Sequence, residues 1–150
     1  MDKKSKVTIV DRPHSLKVAK NLLKSKSSYK RFTFCPGDLF EVNFESENDT
    51  VLYSNILHIY SEKENLVLLE KIHSCLKPGG RLIIVDLFLN EARTQPYDAA
   101  MFSITMLMYT KTGRTYGEKE TKALLSKMGF SNFKTFELVR GSSVIECEKI

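Results

Sequence analysis

The stretch whose reading decides the fold is Thr50–Asn90, TVLYSNILHIYSEKENLVLLEKIHSCLKPGGRLIIVDLFLN. Val51 to Leu57 and Leu82 to Leu89 are dense in Leu, Ile, Val, Phe and Tyr with little alternation. That is the pattern of strands covered on both faces, so each is expected in the middle of a sheet. Between them Leu66, Leu69, Ile72 and Leu76 recur at helical spacing, and Ser61-Glu62-Lys63-Glu64 is a capping-box sequence that starts the helix at a defined place. Lys77-Pro78-Gly79-Gly80 then supplies a basic last turn, a residue that cannot continue a helix, and two glycines free to turn left-handed. Strand, helix and strand in succession make a right-handed unit with parallel strands whose C-terminal ends open on one edge. His58 and Asp86 fall at those two ends, on the edge where open α/β sheets bind ligands.

Working outward, Val7-Thr8-Ile9-Val10 reads as a short strand ending at Asp11, with Arg12-Pro13 leading into a helix over 14–24 whose apolar stripe is Leu16, Ala19, Leu22 and Leu23. A carboxylate just past a parallel strand suits either a ribose diol, for which it is purely an acceptor, or a helix cap. Phe32 to Cys35 is a further strand, closed by Pro36-Gly37-Asp38. Beyond Asp86, Tyr97 to Tyr109 is a helix apolar almost all round, with Met101, Met106 and Met108; it is expected to be buried or to wall an apolar pocket. Thr115 is a candidate cap for a helix over 117–127 ended by Gly129, and Phe133 to Val139 and Val144 to Glu148 read as a hairpin turning at Arg140-Gly141-Ser142-Ser143.

A chain of 150 residues is read as a single domain over 1–150, large enough for a real core. The net charge of +5 owes much to Lys3, Lys4, Lys6, Lys17, Lys20, Lys24, Lys26, Lys30 and Arg31. Lysines spread along a helix and its flanks read as a solvated face, and no RNA-recognition or helix-turn-helix motif accompanies them, so no specific nucleic-acid partner is expected. Cys35, Cys75 and Cys147 are odd in number and lack metal-ligand spacing, so they read as reduced core residues of a cytoplasmic protein; no metal is expected. No apolar run reaches the length of a membrane span, and no signal-peptide core follows the basic start, so no membrane partner is expected either.

The order ILH at a strand end, an acidic helix start, LKPGGRLIIVD, and then GRTYGEKETKALLSKMGF resembles the catalytic domain of S-adenosylmethionine-dependent O-methyltransferases, in the group of caffeate, isoflavone and hydroxyindole O-methyltransferases. The resemblance runs from about Val7 to the C-terminus. It implies an α/β, Rossmann-like class I methyltransferase fold, mostly parallel, with a C-terminal antiparallel hairpin. It implies S-adenosylmethionine as cofactor, with Asp11 on the ribose and the Gly37-Asp38-Leu39-Phe40 stretch placing Asp38 and Leu39 against the adenine. It further implies His58 as general base for a small, aromatic hydroxyl acceptor, Asp86 as the acid that orients the imidazole, and Met101 and Met108 as walls of the acceptor site. On residue type alone, His58 reads first as a capping or core histidine; it is the motif that favours catalysis.

The chain also departs from that pattern. Ile59-Tyr60 stands where the family has Asp-Trp, Ser54 where the plant enzymes have lysine, and Gly113 where the family places a second acid. None of its seven glycines forms the family's E/D-x-G-x-G-x-G loop. The fold is therefore expected to be incomplete, a truncated domain lacking the first strand, its loop and the helical dimerisation domain. The strands ending at Asp11 and His58 then either pair directly in a six-stranded sheet or keep open edges, and cofactor binding is expected to be weak or lost without a homo-oligomer or a completing partner chain. The alternative function is a non-catalytic methyltransferase-like module acting through oligomerisation or partner binding.

Overall fold

The computed structural model describes residues 4–138 and 141–150, in two compact units, Met1–Asn43 and Phe44–Ile150. In the first, β1 (Val7–Asp11) leads through Pro13, the first residue of α1 (Pro13–Leu23), to a 3₁₀ turn at Tyr29–Arg31 and β2 (Phe32–Pro36). Pro13 suits the helix start because its missing N–H would be unpaired there anyway. β1 and β2 are parallel, in register from Val7 opposite Phe32 to Asp11 opposite Pro36. Leu16 is the one fully buried α1 side chain, and Leu22, expected inside, is 68% exposed. A two-stranded layer covers only a narrow stripe of the helix, and Leu22 lies beyond it. Lys17, Lys20, Lys24, Lys26 and Lys30 are exposed, as a solvated face requires.

In the second unit β3 (Asn48–Ser54), α2 (Glu62–Cys75) and β4 (Leu76–Leu89) form the expected parallel crossover. They are followed by α3 (Tyr97–Tyr109), the two-residue β5 (Tyr116–Gly117), α4 (Glu118–Lys127), β6 (Phe130–Glu137) and β7 (Ser142–Lys149). The strand order is β3-β4-β7-β6, with β5 added parallel to the end of β4 and with β7 antiparallel to both β4 and β6. The antiparallel closing pair is therefore present; Val139 and Arg140, expected at the end of its first strand and in its turn, lie outside the described residues.

Three expectations change. β3 is an edge of its sheet, not an interior strand, and Leu52 on it is 64% exposed. β1 pairs with β2 and β3 with β4, so of the two alternatives for the Asp11 and His58 strands the direct pairing is not formed among the described residues. β4 is interior, but its burial alternates: Leu82, Ile84, Asp86 and Phe88 are fully buried while Ile83, Val85 and Leu87 are half-buried.

α2 begins as its sequence predicts. Ser61 Oγ accepts from the Glu64 backbone N–H at 3.4 Å, and Glu64 Oε2 accepts from the Ser61 N–H at 2.9 Å. A cap of this kind contributes about 1 kcal/mol. Its inner face is Asn65, Leu68, Leu69, Ile72 and Cys75, so the stripe is rotated from the one expected, with Leu66 only half-buried. At the other end Lys149 Nζ donates to the carbonyls of His73 and Leu76 at 2.7 Å each, a cation on the negative end of the helix. Gly129, at φ +84°, ends α4 as expected, but Thr115 does not cap it: its side chain is wholly buried, and Glu120 Oε2 accepts from the Gly117 N–H at 3.1 Å instead. The core joins Leu82, Ile84 and Phe88 of β4 to Ile145 and Cys147 of β7, Leu68, Leu69 and Ile72 of α2, and Leu124 and Leu125 of α4.

Candidate functional site

β3 stops at Ser54, three residues before the apolar run ends. Asn55 adopts φ 56°, a left-handed conformation that asparagine tolerates, and its N–H donates to Val85 O at 2.8 Å. The chain then enters a single 3₁₀ turn, Leu57–Ile59, which carries His58 past the strand end. Asp86 arrives from β4 on the buried face of the sheet, in step with Leu82 and Ile84.

The two side chains meet. His58 Nδ1 lies 2.8 Å from Asp86 Oδ1, the His58 backbone N–H donates to Asp86 Oδ2 at 3.3 Å, and the Leu87 N–H donates to Oδ1 at 2.7 Å. Asp86 is 1% exposed and His58 8%. A carboxylate that accepts from two backbone N–H groups and a ring nitrogen is held as an acceptor, so Nδ1 carries the proton and Nε2 keeps its lone pair. Nε2 makes no hydrogen bond within the described residues, yet it is not among the buried side-chain atoms sealed off without a partner, which are His73 Nε2 and Thr115 Oγ1. Phe102 of α3 stands edge-on to the imidazole, with ring centroids 4.8 Å apart.

The loop after α3 closes on the same turn. A Cβ on Gly113 would fall 2.3 Å from His58 O, 2.7 Å from Ile59 O and 2.5 Å from Thr110 Oγ1. The position where the resemblance places a second acid is thus packed against the backbone of the His58 turn, with no room for a side chain in this arrangement. Beyond it Arg114 lies over the Tyr116 ring at 4.0 Å and donates to Glu120, as does Arg93. Burial opposes ionisation of Glu120, but the bonds from Arg114, the Gly117 N–H and Arg93 outweigh it and bring its carboxyl down to about 2.

Met101 and Met108 occupy one face of α3, two turns apart, and are 46% and 70% exposed. Only Ala99 and Met106 of that helix are fully buried, so of the two roles expected for it, burial or walling an apolar pocket, burial all round is not found; Tyr97, Ile104 and Leu107 are also open to solvent. A cleft of about 840 Å³ near the end of β4 is bounded by Phe88, Arg93, Gly117, Glu120, Glu137 and Ser142; neither His58 nor Asp86 lines it. Its walls carry the ion pairs Arg93–Glu120 and Lys119–Glu91 beside the apolar surface of Phe88 and Leu89.

In the first unit Asp11 and Asp38 are both exposed, at the C-terminal ends of paired parallel strands, and the Gly37 N–H donates to Asp11 O at 3.1 Å. Asp11 Oδ1 accepts from the Arg12 N–H at 2.6 Å and Asp38 Oδ1 from the Phe40 N–H at 2.9 Å. The second oxygen of each carboxylate makes no hydrogen bond within the described residues, which leaves two outward acceptors; Leu39 beside them is half-buried. This donor-free set fits the hydroxyl pair and exocyclic amine of a nucleoside. Asp11 and Asp38 thus lie in the first unit, and His58 and Asp86 in the second.

The family model of the O-methyltransferase domain matches residues 3–131. The chain belongs to that family. Acetylserotonin O-methyltransferase of Gallus gallus is 33% identical over 83% of this chain and 35% of its own length, and 3-hydroxy-5-methyl-1-naphthoate 3-O-methyltransferase of Streptomyces sahachiroi is 32% identical over 85% and 37%. Among solved structures, an O-methyltransferase family 2 protein of Planctomyces limnophilus in complex with apigenin matches with a TM-score of 0.90, 29% identity and coverage of 97% of this chain and 43% of that one. Human N-acetylserotonin methyltransferase in complex with SAM matches at 0.82, with 27% identity over 96% and 40%. The mixed α/β fold is that of these O-methyltransferase domains. The chain spans little more than a third of the curated relatives' length.

Asn65, Tyr53, Tyr116 and the close approach at Gly113 were not singled out by sequence reasoning.

Proposed function

We propose that this chain takes part in S-adenosylmethionine-dependent methylation of a hydroxyl on a small, aromatic acceptor, with His58 as general base. The observation that carries the reading is the buried His58–Asp86 pair, with Nε2 left as the basic nitrogen at a strand's C-terminal end. The cofactor would supply an electrophilic methyl group on a sulfonium. Asp11 and Asp38 would hold its ribose diol and adenine amine through their outward oxygens, with Leu39 against the ring. His58 Nε2 accepts the acceptor's hydroxyl proton as the oxygen becomes nucleophilic, and Asp86 stabilises the imidazolium that results. Met101 and Met108 offer an adaptable apolar surface for an aromatic acceptor. Apigenin in the Planctomyces limnophilus complex is an aromatic molecule of that kind.

A second reading is favoured by the absence of a glycine-rich cofactor loop from the sequence and by the open edge at β3. In it the chain is a truncated methyltransferase domain that works only when a second copy, a further segment or a partner chain completes the cofactor cradle, or it is a non-catalytic module assembled through that edge. Isothermal titration with S-adenosylmethionine, run beside size-exclusion chromatography and a methyl-transfer assay on phenolic acceptors, separates the readings. Micromolar, stoichiometric binding by the monomer removes the completion requirement. Where transfer is measured, His58→Gln is expected to lower it by roughly 10²–10⁴-fold with binding retained; equal transfer by that variant ends the general-base assignment.

A further inference from the structure

Asn65 is wholly buried on the inner face of α2. An amide there is costly unless fully hydrogen-bonded. Its Oδ1 accepts from Tyr53 Oη at 2.9 Å. Its Nδ2 faces four acceptors, the carbonyls of Leu57 at 2.9 Å and of Tyr60 and Ser61 at 3.1 Å, and Tyr116 Oη at 3.1 Å. Tyr116 Oη in turn donates to Tyr60 O at 2.8 Å. Two amide hydrogens are shared among four oxygens, so the group is saturated. Burial raises the pKa of both phenols, which therefore stay protonated as donors.

The carbonyls in this network are not scattered. Leu57 precedes His58, and Tyr60 and Ser61 follow it, so one side chain grips the 3₁₀ turn on both sides of the imidazole. Tyr116 adds a second grip from the strand after the Gly113 loop, where Arg114 covers its ring.

We infer that Asn65 is a positioning residue for His58. By fixing the backbone of the Leu57–Ser61 segment it keeps Nδ1 on Asp86 and so keeps Nε2 as the single basic nitrogen. The inference rests on the general-base reading for its consequence in catalysis, but the geometry it predicts is measurable without any turnover. A purely structural amide would contribute to stability and leave the imidazole tautomer alone.

The test is long-range ¹H–¹⁵N NMR of the imidazoles in the full chain, where His58→Gln assigns the His58 signals against those of His14 and His73. Wild type is expected as one tautomer, protonated at Nδ1. Asn65→Ala is expected to give a mixture of tautomers with exchange broadening at His58. Tyr53→Phe removes only the donor to Oδ1 and leaves the grip on the turn, so it is expected to lower stability while His58 keeps its tautomer. An unchanged His58 tautomer in a folded Asn65→Ala overturns the inference, as does a Tyr53→Phe variant that disturbs His58 equally. If Asn65→Ala fails to fold by circular dichroism, Tyr116→Phe decides: a mixed tautomer supports the inference and an unaltered one overturns it. Where wild type transfers methyl groups, Asn65→Ala is expected to lower kcat about tenfold and to move its acid limb, with KM for the cofactor unchanged. A wild type with the Nδ1–H tautomer but no transfer, together with a shifted Asn65→Ala, removes the catalytic reading and leaves the positioning one standing.

Discussion

In the first unit Asp11 and Asp38 stand exposed, each holding one oxygen on a nearby backbone N–H and presenting the other outward. In the second unit Asp86 is 1% exposed, takes three hydrogen bonds, and faces a histidine whose own turn is gripped by a buried amide. The contrast is the one the proposed roles of the two pairs require. A carboxylate that recognises a polar ligand has to stay hydrated until the ligand replaces its water, so a light local bond is enough to aim it. A proton-transfer pair must keep one geometry and one tautomer, and burial with several converging donors achieves that.

The largest expected effect tests this contrast directly. Asp86→Ala leaves the His58 and Leu87 N–H groups and the ring nitrogen without their acceptor in a buried site, a loss on the order of 3 kcal/mol. For a chain of this length that lowers Tm by roughly 10 °C. Asp11→Ala removes one exposed local bond and is expected to change stability by less than about 0.5 kcal/mol. Thermal unfolding followed by circular dichroism measures both. Equal losses in the two variants would abolish the distinction between an aimed and a built carboxylate.

Gly113 sharpens the comparison from the other side of the His58 turn. Adding even a methyl group there drives a Cβ against two backbone carbonyls and a hydroxyl, none of which is the loose end of a flexible chain. Gly113→Ala is expected to cost about 1–3 kcal/mol and to shift the amide and ring signals of His58, as overpacking against a fixed backbone does. Gly113→Glu, which places an acid where the resemblance expects one, should do the same or worse and gain no second partner for the imidazole. A Gly113→Ala chain with wild-type stability and an unmoved His58 spectrum would mean the turn yields easily, against the rigidity ascribed to it.

Much of this was readable in advance because it depends on local chemistry. The capping box at Ser61, the left-handed Gly129 and the parallel crossover from β3 to β4 need only neighbouring residues, and the His58–Asp86 meeting follows from two parallel strand ends on one edge. What was hidden depends on tertiary context. Leu52 and the exposed face of α3 look like core, because apolar content does not reveal whether a neighbouring layer is present to cover it. Asn65 looks like surface, because an amide belongs inside only when Tyr53, Tyr116 and three distant carbonyls converge on it. Gly113 reads as a lost acid until the backbone it rests against is known.

The smallest expected effect concerns Glu120, whose ion pairs with Arg114 and Arg93 lie at the partly exposed end of the same loop. Its carboxyl stands at about 2 in the folded chain against an ordinary 4.5. With the folded value depressed, the unfolded state binds the proton first as pH falls, so the stabilisation is present above about 4.5 and fades as pH drops towards about 2. Solvent screening keeps the contribution small at this exposure. Glu120→Gln is therefore expected to be less stable than wild type at neutral pH, with the two Tm curves converging between those limits and Tyr116 still hydrogen-bonded to Asn65. Curves that stay parallel across that window would assign the loop's hold on the His58 turn to Gly113 packing and the Tyr116 hydroxyl alone. The charged end of the loop would then have no part in it.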